Sequence, residues 1–200
     1  MNFPKTPGQC EYLRVIQGTK PIIIATGPAG SGKTMSGGQV AAEKLVNKEC
    51  NRLILTRPIV AADEDMGYLP GEMERKMEPW TRPMMDVFEN YLTRNQLEKH
   101  VCIEPLGFMR GRTFNDSFII ADEMQNSTPN QMKMLLTRLG DNSKMIVMGD
   151  LKQSDLGPKN GLADLVKRIK CLELEYIEHV IMDDEDILRH PAVAEILKLY

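Results

Sequence analysis

Gly27-Pro28-Ala29-Gly30-Ser31-Gly32-Lys33-Thr34 comes directly after the apolar run Pro21-Ile22-Ile23-Ile24-Ala25-Thr26. The stretch fits the pattern G-x-x-x-x-G-K-[ST], and its flanks supply the context that the bare pattern lacks. The apolar run reads as a fully buried strand, and a helix-like segment follows from Thr34 to about Asn47. Glycines let backbone N–H groups close around a β-phosphate, and the helix N-terminus adds positive dipole. Lys33 is placed to reach the β- and γ-oxygens, and the Thr34 hydroxyl to ligate Mg²⁺. The stretch therefore implies binding of a nucleoside triphosphate.

Outward from this point the chain alternates between two periodicities. Strand-like runs lie at 21–26, 52–56, 101–104, 118–122, 144–149 and 172–177. Helical patterns lie at 33–47, 71–90, 129–139, 160–169 and 184–199, the last interrupted by Pro191. An opening helix is expected over 6–16, with Thr6 as N-cap and Pro7 at its first position. Alternating strands and helices predict an α/β fold: a mostly parallel sheet covered on both faces, with ligands at the carboxyl ends of its strands.

The bulk properties set limits. With 200 residues, 42% hydrophobic and 26% charged, the chain is expected to form one globular domain over 1–200. Its longest apolar runs are about five residues, too short for a membrane helix, and Met1-Asn2-Phe3-Pro4-Lys5 has no apolar signal core. A cytoplasmic setting is expected. Cys10, Cys50, Cys102 and Cys171 form no Cys-x-x-Cys pair and read as reduced, mostly buried thiols. A net charge of −3 argues against a globally basic nucleic-acid face, so phosphate-backbone contact needs a local patch or several subunits around one strand. Among the 14 methionines, Met132, Met134, Met145 and Met148 sit in apolar stretches and are read as core filling.

The second half of a phosphate site is visible in Phe118-Ile119-Ile120-Ala121-Asp122-Glu123, an apolar strand ending in two carboxylates. Asp122 is expected to hold Mg²⁺ through a water beside Thr34. Glu123 suits a general base that aligns or deprotonates an attacking water. A further apolar strand, Met145 to Gly149, leads into Asp150-Leu151-Lys152-Gln153. On residue chemistry alone, Gln153 either reports on the γ-phosphate or is a loop glutamine in solvent.

These blocks resemble the PhoH family of P-loop ATPases, relatives of the superfamily 1 helicase motor domain. The resemblance rests on 26–34, Leu55-Thr56-Arg57-Pro58, Met66-Gly67-Tyr68-Leu69-Pro70-Gly71-Glu72, Arg110-Gly111-Arg112-Thr113, Asp122-Glu123-Met124-Gln125-Asn126, Gly149-Asp150-Leu151-Lys152-Gln153-Ser154-Asp155 and Asp186-Ile187-Leu188-Arg189-His190. The blocks run in the family's order across nearly the whole chain. The resemblance implies a RecA-like core hydrolysing ATP with Mg²⁺. It puts Gln153 at the γ-phosphate and Gln9 where helicase relatives read adenine with an amide, which both donates and accepts. Met124 stands where the family usually has alanine, a packing change. Longer relatives add an RNA-binding or a PIN nuclease domain at the N-terminus. Neither is seen in this sequence, so RNA cleavage is not carried over, and the compact form resembles phage-encoded members.

Phosphoryl-transfer motors commonly add an arginine against transition-state charge. No second RecA-like lobe fits in this length, so the arginine is expected in trans from a homo-oligomer, which the resemblance makes a hexameric ring. Candidates are Arg57, Arg110, Arg112, Arg138 and Arg189, with Arg110 and Arg112 ranked first because they flank Gly111 in a loop before the acidic strand. Arg57 to Arg82, with Arg75, Lys76 and Trp80, is the expected partner surface, although interspersed acids weaken it and Trp80 suits a packed anchor or subunit contact. The leading expectation is a Mg²⁺-dependent ATPase acting on RNA or single-stranded nucleic acid. The alternatives are an ATP-dependent switch or scaffold with little turnover, and a small-molecule kinase, which the Asp122-Glu123 pair disfavours.

Overall fold

Strands form where the sequence concentrates branched apolar residues: β1 (Ile22–Thr26), β2 (Arg52–Thr56), β3 (Val101–Ile103), β4 (Ser117–Ala121), β5 (Lys144–Gly149) and β6 (Ile177–Ile181). In the computed structural model, which describes residues 4–59, 72–170 and 172–188 (the backbone alone for 72–80), these strands make one sheet. Its order is β3-β2-β4-β5-β1-β6, and every pairing is parallel. The register sets Ile24 opposite Val147 and Leu55 opposite Ile120.

Because side chains alternate along a strand, each strand feeds two cores. Ile23, Ala25, Leu53, Leu55, Phe118, Ile120, Ile146 and Met148 pack on one side with α1 (Pro7–Gln17), α2 (Lys33–Val46) and α3 (Glu72–Glu89). Ile24, Ile54, Ile119, Ala121, Met145 and Val147 face α5 (Pro129–Leu136) and α6 (Gly161–Ile169) on the other. Met132, Met145 and Met148 are buried, the last on the opposite face of the sheet, and Met134 packs against the core that holds the first two, so these methionines fill core as expected. Thr6 caps α1 with Pro7 behind it, as the sequence suggested. At α5, Thr128 and Gln131 form a capping box ahead of Pro129.

Three expectations are corrected. The last strand is not at 172–177: it starts at Ile177, opposite Ile22, after the Ile22 N–H has bonded the Tyr176 carbonyl. Leu172 and Tyr176 are exposed, so the alternation at 172–176 marks no buried face. The helix expected from Asp184 begins as a 3-10 turn, Asp184–Asp186, because the Asp183 and Asp186 carboxylates take the local N–H groups of Glu185 and Asp183. Of the described cysteines only Cys50 is buried; Cys10 is exposed and Cys102 half-buried, all three as free thiols. Helix α4 (Arg94–His100) has no counterpart in the sequence reading: it buries no residue and so carries no apolar period. Its signal is the capping box of Thr93 and Gln96. Arg189, Pro191 and the rest of the expected last helix, with the stretch 60–71, lie outside the described residues, as do the side chains of Arg75, Lys76 and Trp80.

Candidate nucleotide site

The turn after β1 is shaped by what glycine permits. A side chain at Gly27 would bring a Cβ within 2.6 Å of the Met182 carbonyl oxygen, so the chain can pass the end of β6 only without one. Gly32 has φ 89°, a left-handed conformation, and it is the N-cap of α2 with no side chain to cap it. The first N–H groups of α2 therefore have no side-chain acceptor, which is the condition for binding an anion.

Lys33 folds back over this loop. Its ammonium donates to the carbonyls of Gly27 at 2.7 Å and Pro28 at 2.8 Å, and to the Ser31 hydroxyl at 3.2 Å. Burial pulls its pKa down, while Asp122, Asp150 and Glu123 pull it back up. One ammonium thus faces three carboxylates, and a triphosphate entering here needs further positive charge.

Thr34 and Asp122, far apart in sequence, are brought into contact: the Thr34 hydroxyl donates to Asp122 Oδ2 at 3.0 Å. Burial, and then the neighbouring Glu123, raise the Asp122 carboxyl above its ordinary pKa. A desolvated carboxylate beside a hydroxyl is a hard-oxygen donor pair that a divalent cation would satisfy, so the residues present fit Mg²⁺ completed by phosphate oxygens and water.

Glu123 follows at φ 54°, an uncommon conformation for a residue with a side chain. Gln153 enters from the end of β5. Its side chain makes no hydrogen bond among the described residues, and it lines the same cavity of about 410 Å³ as Gln9, Lys33, Thr34, Asp122 and Glu123. That volume falls in the range of small-molecule sites.

Gln9 is fully buried, with its amide already engaged. Nε2 donates to the Ser31 carbonyl at 3.1 Å and the Asp186 carbonyl at 3.3 Å, and Oε1 accepts from the Lys5 N–H at 2.9 Å. It joins α1, the glycine loop and the Asp184–Asp186 turn into one wall of the cavity.

The arginines divide. Arg112 pairs with Glu104 at 2.5 Å and lies over the Phe114 ring. Arg138 donates to the carbonyls of Met134 and Arg112. Arg110 is exposed just after the 3-10 turn Leu106–Met109, and neither it nor Arg112 lines the cavity of its own chain. Arg57 lines a smaller adjoining chamber with Thr56, Asp122 and Glu123.

Two residues of the site had no role assigned from sequence. Asp150, buried, accepts from the Ala29 N–H at 3.3 Å and so braces the glycine loop. Gln125 bonds Glu123 Oε2 at 2.5 Å. Both lie inside motif blocks, but only the packing of β4 beside β5 shows what they touch.

Among the described residues no helix is long and apolar enough to cross a membrane. The chain is similar at 42% identity to a PhoH-like protein of Bacillus subtilis (strain 168), across 98% of its own length and 63% of the relative's. It is 42% identical to protein PhoH of Escherichia coli (strain K12), across 98% of this chain and 57% of that one. The chain therefore spans about three-fifths of the length of these curated relatives. Among solved structures, the large terminase from a thermophilic bacteriophage superimposes with a TM-score of 0.63, covering 98% of this chain and 50% of that one. At 13% identity that likeness speaks for the fold alone: a RecA-like P-loop sheet. The family described as PhoH-like protein matches residues 3–200, and the chain, with its P-loop NTPase fold, belongs to it.

Proposed function

We propose that this chain is a Mg²⁺-dependent ATPase that works as a homo-oligomeric ring on RNA or single-stranded nucleic acid. The observation that carries the ATPase reading is the Thr34–Asp122 contact, with Glu123 beside it and Lys33 across the same cavity. Thr34 and Asp122 would hold Mg²⁺, and the ion would supply positive charge against the phosphate oxygens. The N–H groups of the loop from Gly27 and of the start of α2 receive the β-phosphate. Lys33 exchanges its bonds to the Gly27 and Pro28 carbonyls for phosphate oxygens. Asp122 and Thr34 hold the metal's shell, Glu123 takes a proton from the attacking water, and Gln153 bonds the γ-phosphate or that water. Adenine reading by Gln9 belongs to the same proposal and requires a base edge to exchange with the Lys5 N–H and the Ser31 carbonyl.

The ring reading is supported by what each cavity has at hand. Lys33 is its cation at the glycine loop, Lys5 lines it beside Gln9, and Arg57 stands in the next chamber. No arginine lines it among the described residues. Arg112 and Arg138 are engaged within their own chain, and Arg110, exposed and clear of its own cavity, is our choice among the described arginines to enter a neighbour's site. Free thiols fit a cytoplasmic setting.

The test is steady-state ATP hydrolysis against protein concentration, with and without single-stranded RNA, using Lys33→Ala as the blank. Specific activity should rise with concentration and further with RNA. Turnover far below one per minute, flat with concentration and blind to RNA, would favour an ATP-dependent switch or scaffold.

A further inference from the structure

Gln125 has a fully engaged amide that bridges two catalytic segments. It is 1% exposed, and both its amide nitrogen and its oxygen are engaged. Nε2 donates to Glu123 Oε2 at 2.5 Å and to the Gln153 carbonyl at 3.4 Å, while Oε1 accepts the Asp150 N–H at 3.1 Å. The backbone repeats the link, since the Ser154 hydroxyl donates to the Gln125 carbonyl at 2.8 Å. Gly149 makes room for this side chain: a Cβ there would lie 2.5 Å from Gln125 Oε1. Glu123, for its part, sits in a left-handed conformation with its carboxylate in Gln125's grip.

From this arrangement we infer that Gln125 is a positioning residue that couples the γ-phosphate-facing loop, Asp150 to Gln153, to the carboxylate of Glu123. The inference rests on the ATPase reading above. The Gln153 side chain is free to swing towards a γ-phosphate, and its backbone carbonyl shares the same Nε2 as the base. A shift of the loop therefore changes the hold on Glu123 at once. Holding a general base to within about 1 Å of its working position is worth up to roughly 100-fold in rate. Because Gln125 does not line the cavity, its removal should act on turnover and leave nucleotide binding alone.

The test is a double-mutant cycle between Gln125 and Gln153 read in steady-state ATP hydrolysis. Gln125→Met is close to isosteric and uncharged, and it removes the donor to Glu123 together with the bonds to the Asp150–Gln153 loop. It should lower kcat by roughly 10- to 100-fold with KM and nucleotide affinity unchanged. Gln153→Ala should cost activity in the wild-type background and little more in the Gln125→Met background. Gln125→Asn, which keeps an amide one methylene shorter, should recover part of the loss. Effects of Gln125→Met and Gln153→Ala that simply multiply would overturn the coupling, as would a loss of nucleotide affinity that matches the loss of kcat. Glu123→Gln serves as the control. Turnover retained there overturns the general-base reading beneath this inference, whereas a dead Glu123→Gln beside a fully active Gln125→Met overturns the inference alone.

Discussion

Glu123 occupies a backbone conformation that costs a non-glycine residue on the order of 1–3 kcal/mol, and it does so where it lines the cavity beside Thr34 and Asp122. The amide analogue Glu123→Gln keeps the shape and removes the proton acceptor. It should bind nucleotide normally and lose roughly 10²- to 10⁴-fold in turnover, read by a fluorescent-nucleotide titration beside steady-state hydrolysis. Gln9 calls for a different readout, since its amide serves three backbone groups of its own chain. Gln9→Ala should cost about 1–3 kcal/mol and lower the melting temperature by several degrees even without nucleotide. The meeting of Lys33, Thr34, Asp122 and Glu123 at one cavity was legible in the sequence because phosphate-binding motifs carry fixed spacing within short stretches. Gln125 and Asp150 were not, because a buried amide or carboxylate declares its partners only when β4 and β5 lie side by side. The engagement of Gln9 was hidden likewise, since its partners Ser31 and Asp186 come from distant segments.

Elements were legible in proportion to how much apolar surface they bury. β2 and β5 have the bounds read from the sequence, and α2 ends one residue early, because their periodicity is the imprint of a core. β6 is an edge strand, only partly buried along most of its length, so the strict alternation of apolar and acidic residues at 172–176 outweighed it. α4 was invisible for the same reason carried further. β5 has a consequence in pH. Lys144 at its head donates to the Ile16 and Gly18 carbonyls at the end of α1, and burial pulls its pKa down from 10.5 to about 8. Between those values the unfolded chain binds more protons than the folded one, so this lysine's contribution to stability rises as pH increases from about 8 to 10.5. Burial pushes the Cys50 thiol up from 9.0 to about 11, and its contribution falls as pH rises across that span. The difference in urea midpoint between the natural chain and Lys144→Gln should therefore grow from pH 8 to pH 9 in favour of the natural chain. A difference independent of pH would mean that Lys144 titrates near its ordinary value.

At the scale of the whole molecule, the sheet delivers every group of the proposed chemistry to one edge except an arginine for the transferring phosphate. β1, β4 and β5 end together, which is why Lys33, Asp122, Glu123 and Gln153 meet although separate segments supply them. The β3–β4 connection instead carries Arg110 outward, clear of its own cavity. A ring makes that placement useful, since each subunit then completes its neighbour. The consequence is measurable by mixing two defective chains. Lys33→Ala lacks the phosphate lysine and keeps Arg110; Arg110→Ala has the reverse defect, and each should hydrolyse little ATP alone. In mixed assemblies an Arg110→Ala subunit beside a Lys33→Ala subunit has an intact cavity and receives an intact arginine. Random mixing should then restore roughly a quarter of the natural rate, rising with total protein concentration as rings form. An Arg110→Ala chain that is fully active alone would move the role to another arginine. Two inactive chains that stay inactive together, while still assembling, would show that Arg110 acts inside its own subunit.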